Sequence, residues 1–159
     1  MARVARAFVG IGSNLGDRAG NLKGALQALG QVEGISVTAV SRLRETAPVG
    51  IVDQPRFLNG AVEVETALSP TALLAALLEI ERLLGRERAG VPQGGPRTID
   101  LDLLLYDGAE LARPGLRIPH PRLHERRFVL EPLADLDPSL EVPGKGAVQT
   151  LLARLDSSS

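Results

Sequence analysis

Strand-patterned and helix-patterned segments follow one another in the order β-α-β-β-α-β between residues 3 and 106, and that order admits few folds. Arg3–Gly12 is short, apolar and rich in β formers. From Asn21 to Glu33 the apolar residues Leu22, Ala25, Leu26 and Leu29 recur at helical spacing. Ile35–Arg44 and Leu58–Thr66 alternate, so each offers one apolar face. Ser69-Pro70 opens a second helix: a hydroxyl N-cap precedes a proline at the first helical position, where its missing N–H costs nothing. That helix carries Leu73, Leu77, Ile80 and Leu84 on one stripe, and Gly85 stops it. Thr98–Tyr106 closes the series as a strand. This arrangement is the split βαβ of an α+β sandwich of the ferredoxin-like class.

Beyond it, Asp107-Gly108 reads as a hairpin signal leading to a short partner. One or two short helical stretches follow Pro121 up to Leu136, interrupted near Pro132, and Ala147–Leu155 is amphipathic. The expected fold is a ferredoxin-like βαββαβ sandwich with an added β-hairpin and C-terminal helices, in one domain spanning 1–159. Two loops rich in Gly, Pro and polar residues, about 45–56 and 86–96, are long for a compact domain and mark places where function concentrates.

Composition removes several classes of function. With 44% apolar residues the chain can bury a core, and 23% charged residues is ordinary. A net charge of −1 lacks the basic excess of a general nucleic-acid surface, and 3% aromatics leave little to stack bases on. The absence of Cys removes disulfides, thiolate metal sites and thiol nucleophiles together. No apolar run approaches the roughly 18 residues of a membrane helix. The start, MARVARAFVG, passes directly into strand pattern, so no leader is expected and a cytoplasmic protein is. Lys23 and Lys145 are the only lysines, so nearly all of the 18 basic side chains are Arg.

The sharpest local signal is Thr98-Ile-Asp100-Leu-Asp102-Leu-Leu-Leu. Two residues apart on a strand, Asp100 and Asp102 project from one face, while Ile99, Leu101 and Leu103 fill the other. Carboxylates roughly 6–7 Å apart repel in a partly buried site unless a cation intervenes, and a hard ion such as Mg²⁺ suits oxygen ligands. The spacing alone admits either a divalent-cation site or a solvated edge face. Arg86, Arg88 and Arg97 precede the two Asp, and Arg122, Arg126 and Arg127 follow His120. Guanidiniums around a carboxylate-bound cation suit a polyphosphate, whereas scattered over the surface they are only solubilising charge. His120 and His124 stand four apart, but Pro119 and Pro121 bracket His120 ahead of any helix and no third His exists, so a zinc site is not expected. His120 is read either as a donor to phosphate or ribose or as a structural residue. Gly10-Ile-Gly12-Ser-Asn-Leu-Gly16 fails as a dinucleotide fingerprint because Leu15 stands at its third glycine position, and reads as a glycine-rich turn into the first helix.

Taken together, several segments resemble the 6-hydroxymethyl-7,8-dihydropterin pyrophosphokinase family: FVGIGSNLGDR, RETAPVG, DQPRFLNGAVEVET, LLEIERLLGR, GPRTIDLDLLLYDG and IPHPRLHERRFVLEPL, in family order over about 8–137. The resemblance implies transfer of pyrophosphate from ATP to the pterin hydroxymethyl group, releasing AMP, in folate biosynthesis. It implies that Asp100 and Asp102 bind two Mg²⁺ and that Arg86, Arg88 and Arg97 hold phosphate oxygens, with Arg86, Arg97 and the two Asp as the catalytic set. Glu81, Leu103, His120 and Arg126 match ATP-site positions. Thr46, Pro48, Val49, Phe57, Asn59 and Phe128 match the pterin pocket, where a flat ring wants aromatic faces and an amide at its edge. Gly94 stands where the family usually carries an aromatic residue, and Phe57 replaces a common Tyr. The implied partners are ATP and the pterin, without nucleic acid or membrane, as monomer or dimer. A different Mg-dependent phosphotransferase or phosphohydrolase would use the two Asp without a ring clamp, and a non-catalytic binding module would use neither.

Overall fold

The structure is a computed structural model that describes residues 4–46, 56–85 and 98–157. Pro48, Val49, Arg86, Arg88 and Arg97, expected at the site, lie outside the described residues, as does most of both long loops.

The β1 strand (Ala5–Ser13) is central, antiparallel to β4 (Phe57–Thr66) on one side and to β5 (Asp100–Tyr106) on the other. Beyond β4 lie β2 (Ile35–Val40) and the short β3 (Arg44–Thr46), each antiparallel to it. The strand order is thus β2-β4-β1-β5, with β5 at an edge. α1 (Arg18–Gln31) is capped by the Asp17 carboxylate, which accepts from Gly20 N at 3.1 Å. α2 (Pro70–Leu83) starts where the sequence places it: Ser69 Oγ accepts from Ala72 N at 3.2 Å, and Gly85 follows at φ +91, open to glycine at no steric cost.

One face of the sheet is closed. Ala7, Val9 and Ile11 of β1, Val62 and Val64 of β4, and Ile99, Leu101 and Leu103 of the β5 segment meet Leu22, Ala25 and Leu29 of α1 and Leu73, Leu77 and Ile80 of α2. Each fully buried Leu contributes roughly 1.5–3 kcal/mol. On the opposite face, α3 (Arg127–Leu136) and α4 (Val148–Ser157) cover Phe8, Ala61, Leu104 and Leu105 with Leu130, Leu133, Val148 and Leu151. Among the described residues, no helix is long and apolar enough to cross a membrane.

Four local expectations are corrected. Ile35–Arg44 is not one strand: Ser41 Oγ accepts from Ala61 N at 2.8 Å, replacing a ladder carbonyl, and the chain bends before β3. Asp107-Gly108 does not join β5 to a hairpin partner. Asp107, at φ 49, is tied to β1 instead: its N–H donates to Arg6 O at 2.7 Å and its carboxylate accepts from Arg6 N at 2.8 Å. The hairpin lies further on, between β6 (Leu111–Arg113) and β7 (Leu116–Ile118), with Gly115 at φ +76 in its turn. Pro132 does not interrupt the helix. It is buried inside α3, and the break falls at Arg126, whose extended backbone separates the 3-10 turn Leu123–Glu125 from α3. Finally, the glycine-rich turn is shorter than the Gly10–Gly16 stretch: Gly10 and Gly12 lie in β1, as the Arg3–Gly12 strand reading has them, and Gly16, at φ +70, serves the turn.

Candidate active site

Cross-strand register builds the site. Gly12 of β1 lies opposite Asn59 of β4 on one side and Asp100 of β5 on the other, and Asn59 in turn lies opposite Arg44. One step along, Gly10 stands between Ala61 and Asp102. Residues directly opposite share a face, so Asn59, Gly12 and Asp100 form one row and Ala61, Gly10 and Asp102 the next. Both carboxylates project on the α3 side, each beside a bare Cα. In a third row, Glu63–Phe8–Leu105, Phe8 and Leu105 turn the same face apolar.

The change from polar to apolar depends on a bulge. Val9 pairs with Leu103 and Phe8 with Leu105, leaving Leu104 as the extra residue. Leu103 therefore packs toward α1 and α2, while Leu104 and Leu105 both enter the other core. The bulge also frees the Leu104 carbonyl, which accepts from His120 N at 3.0 Å. This anchors the segment after the cis Ile118–Pro119 bond against β5.

His120 is brought near Asp100 and Arg126. Its imidazole is held below the usual histidine range mainly by burial and then by the Arg126 charge, against a smaller opposing pull from Asp100. A neutral imidazole presents one donor and one acceptor nitrogen. The Arg126 guanidinium carbon lies 5.5 Å from the centroid of the Phe128 ring, at the first turn of α3. An open cleft of about 520 Å³ runs between Thr46 on one side and Arg126 and Phe128 on the other. Thr46 connects this cleft to the aspartate rows, because its Oγ1 accepts from Asn59 Nδ2. Phe57 lies two residues from Asn59, on the same face.

α3 is clamped over this face by an ion pair. Arg44 donates from both terminal nitrogens to Asp135, at 2.7 and 2.8 Å, and Asp135 also accepts from Arg42 N at 3.2 Å. Hydrogen bonds from Arg44 hold the Asp135 carboxyl below its ordinary range.

Thr46, Phe57, Asn59, Asp100, Asp102, His120, Arg126 and Phe128 therefore gather on the α3 side. Glu81 and Leu103 do not. Leu103 is buried in the closed core, and Glu81, 2% exposed, accepts from Leu101 N at 2.7 Å, between the two aspartates. The glycine pair is what a reading of the sequence misses. Its signal was available, since two glycines two apart in a strand bare one face.

The donor set fits a hard divalent cation bound together with a polyphosphate. Two carboxylates share one face of β5 beside the glycines of β1, and among the described residues no group of three or more His, Cys, Asp or Glu converges as a complete metal cage. An ion held there takes its remaining oxygens from elsewhere, as Mg²⁺ does from phosphates and water.

Comparisons with known proteins agree with this arrangement. The 7,8-dihydro-6-hydroxymethylpterin-pyrophosphokinase (HPPK) family matches residues 8–138. The 2-amino-4-hydroxy-6-hydroxymethyldihydropteridine pyrophosphokinase of Methylorubrum extorquens is 46% identical over 96% of this chain and 95% of its own length. The enzyme of the same name from Bacillus subtilis is 46% identical over 85% of this chain and 80% of its own. Among solved structures, wild-type Plasmodium falciparum HPPK-DHPS with pteroate superposes with a TM-score of 0.77 over 98% of this chain, at 14% identity. This chain spans 45% of that longer one, and at such identity the likeness speaks for the fold. By the extent of the family match and the identity to these relatives, the chain belongs to the 7,8-dihydro-6-hydroxymethylpterin-pyrophosphokinase family.

Proposed function

We infer that this protein transfers pyrophosphate from ATP to the hydroxymethyl group of 6-hydroxymethyl-7,8-dihydropterin, forming the pterin diphosphate and AMP in folate biosynthesis. The observation that carries this reading is the family match over residues 8–138, joined by relatives of that name aligned over nearly their whole length. The strand order, with α1 and α2 on one face, supports a ferredoxin-like reading of residues 5–106, to which β6–β7 adds a hairpin and α3 and α4 a second layer. The chain is read as one domain.

In the proposed site, Asp100 and Asp102 would hold two Mg²⁺ together with the phosphates of ATP. The chemistry such ions supply is neutralisation of phosphate charge and polarisation of the transferred group. The chain's own residues position the reactants. Glu81 fixes the backbone between the two aspartates through Leu101 N. Neutral His120 and cationic Arg126 face the nucleotide side by side, one able to donate to a phosphate or ribose oxygen and the other to neutralise it. Leu103, at a family adenine-pocket position, supports β5 from the closed core. Arg86, Arg88 and Arg97 complete the phosphate contacts. Phe57 and Phe128 flank the pterin ring, with Thr46, Pro48, Val49 and the Asn59 amide along its edge. The hydroxymethyl oxygen bonds to the β-phosphorus, the α,β-bridging bond breaks, AMP leaves and the hydroxyl proton passes to solvent. Holding both reactants in line is worth far more than any single contact, since oriented reactants gain about 7–11 kcal/mol over free encounter.

Incubation with ATP, Mg²⁺ and the dihydropterin tests this directly. AMP and pterin diphosphate in equal amounts are expected. ADP or free phosphate as the product would instead identify another phosphotransferase or phosphohydrolase.

A further inference from the structure

We propose that Gly12 determines which substrates the polar face admits, by leaving the Asn59 amide room to lie across β1 toward Asp100. This rests on the reading that this face takes the pterin. A Cβ built on Gly12 would lie 2.5 Å from Asn59 Oδ1 and 3.6 Å from Phe57 Cδ1. No real contact is that short, so a methyl group must displace the amide. The amide cannot swing aside freely, because its Nδ2 donates to Thr46 Oγ1. The consequence is directional: one of the two amide N–H groups is given to Thr46, and the oxygen is presented over the bare backbone as an acceptor. That acceptor suits a flat, fused heterocycle bearing N–H donors along one edge.

The neighbouring glycine shows that the constraint is local. A Cβ on Gly10 would meet the Leu104 methyls at 3.5 Å, an ordinary van der Waals contact. Gly12 alone of the pair stands against a polar side chain of the pterin edge, and it occupies the row that joins that edge to Asp100. Its missing side chain is thus a specificity determinant and not a backbone requirement, since its φ is not among the positive values.

The test is a double-mutant cycle on the full chain. The dissociation constant of 6-hydroxymethyl-7,8-dihydropterin is measured with Mg²⁺ and a non-hydrolysable ATP analogue present, and that of the analogue is measured separately. Gly12→Ala and Asn59→Ala are each expected to raise the pterin constant about ten- to hundredfold, with the analogue's constant within about twofold. The double variant is expected to bind pterin no more weakly than Asn59→Ala alone, because the methyl then meets only the Phe57 ring, at an ordinary van der Waals distance. If Asn59→Ala stays within twofold of wild type, the pterin reading of this face fails and the proposal falls with it. If Asn59→Ala weakens binding but Gly12→Ala does not, or if the two losses multiply in the double variant, the role of Gly12 is overturned while the site stands. Should Gly12→Ala fail to fold, the comparison of the double variant with Asn59→Ala decides alone: equal affinity supports the proposal, and a further fivefold loss overturns it.

Discussion

The two faces of the central sheet are built from the same five strands to opposite ends. Toward α1 and α2 every inward position of β1 carries a side chain, Ala7, Val9 and Ile11, and each is buried among leucines. Toward α3 the alternate positions of the same strand read Phe8, Gly10 and Gly12: one large ring, then nothing. β5 repeats the pattern, with Leu101 and Leu103 closing one face while Asp100 and Asp102 stand on the other. A strand's period of two lets a single stretch of chain satisfy stability and chemistry separately. Substitutions should therefore sort by face. Those on the closed face should change stability and leave the chemistry, and those on the open face should do the reverse.

The largest effect belongs to the aspartates. Asp100→Asn or Asp102→Asn should lower turnover about 10²–10³-fold, the scale of losing one strong transition-state charge contact. The melting temperature should hold or rise slightly, because mutual repulsion falls. Near-normal activity of both variants in a steady-state assay would remove the metal assignment, and a lower melting temperature would blur the division between faces. On the closed face, Leu77, with no exposed area, should behave in the opposite sense. Leu77→Ala should cost roughly 2–5 kcal/mol of stability in urea unfolding, with activity per folded molecule unchanged within about twofold.

Phe128→Ala sharpens the comparison. Phe128 is only half-buried and its ring carries the Arg126 guanidinium. Losing a stacking face should weaken pterin binding about ten- to hundredfold, from roughly 1–3 kcal/mol, and ATP-analogue binding far less. Equal loss of both ligands with a lowered melting temperature would make it a core residue. The smallest effect concerns the clamp that holds α3 over the open face. Asp135 titrates below its unfolded value, so its stabilising contribution is complete above about pH 4 and is lost as pH falls through the folded value. Asp135→Asn should lower the melting temperature at pH 7 by a few degrees at most, given that an ion pair still a quarter exposed is worth about 1 kcal/mol or less. The two proteins should converge as the pH falls below the folded value of Asp135, which a melting series across pH would follow.

The closed face was legible in the sequence because helical and strand periodicities are local. Leu22, Leu29, Leu73 and Leu77 mark their stripes unaided, and Ser69, Pro70 and Gly85 set the limits of α2. The carboxylate pair was legible for the same reason. The bulge at Leu104 was not, since three consecutive leucines carry no phase and only pairing with β1 assigns them to cores. Pro132 misled because its cost to a helix is local, whereas its burial among the side chains under α3 is tertiary. What faces the glycines of β1 was not legible, because Asn59 and Asp100, in register with Gly12 on either side, come from segments some 50 and 90 residues away.

β5 ends the sheet, and an end strand offers its free amides and carbonyls to any passing chain. Here two groups of that strand are taken from within: the Glu81 carboxylate accepts from Leu101 N, and Leu104 O accepts from the amide of His120. At these two points the strand that carries the two aspartates has no group left to pair with another molecule's strand. The protection is supplied by single groups rather than by a neighbouring strand, so it leaves the face above the strand open. Leu101 N and Leu104 O of the end strand are thus satisfied within the chain itself.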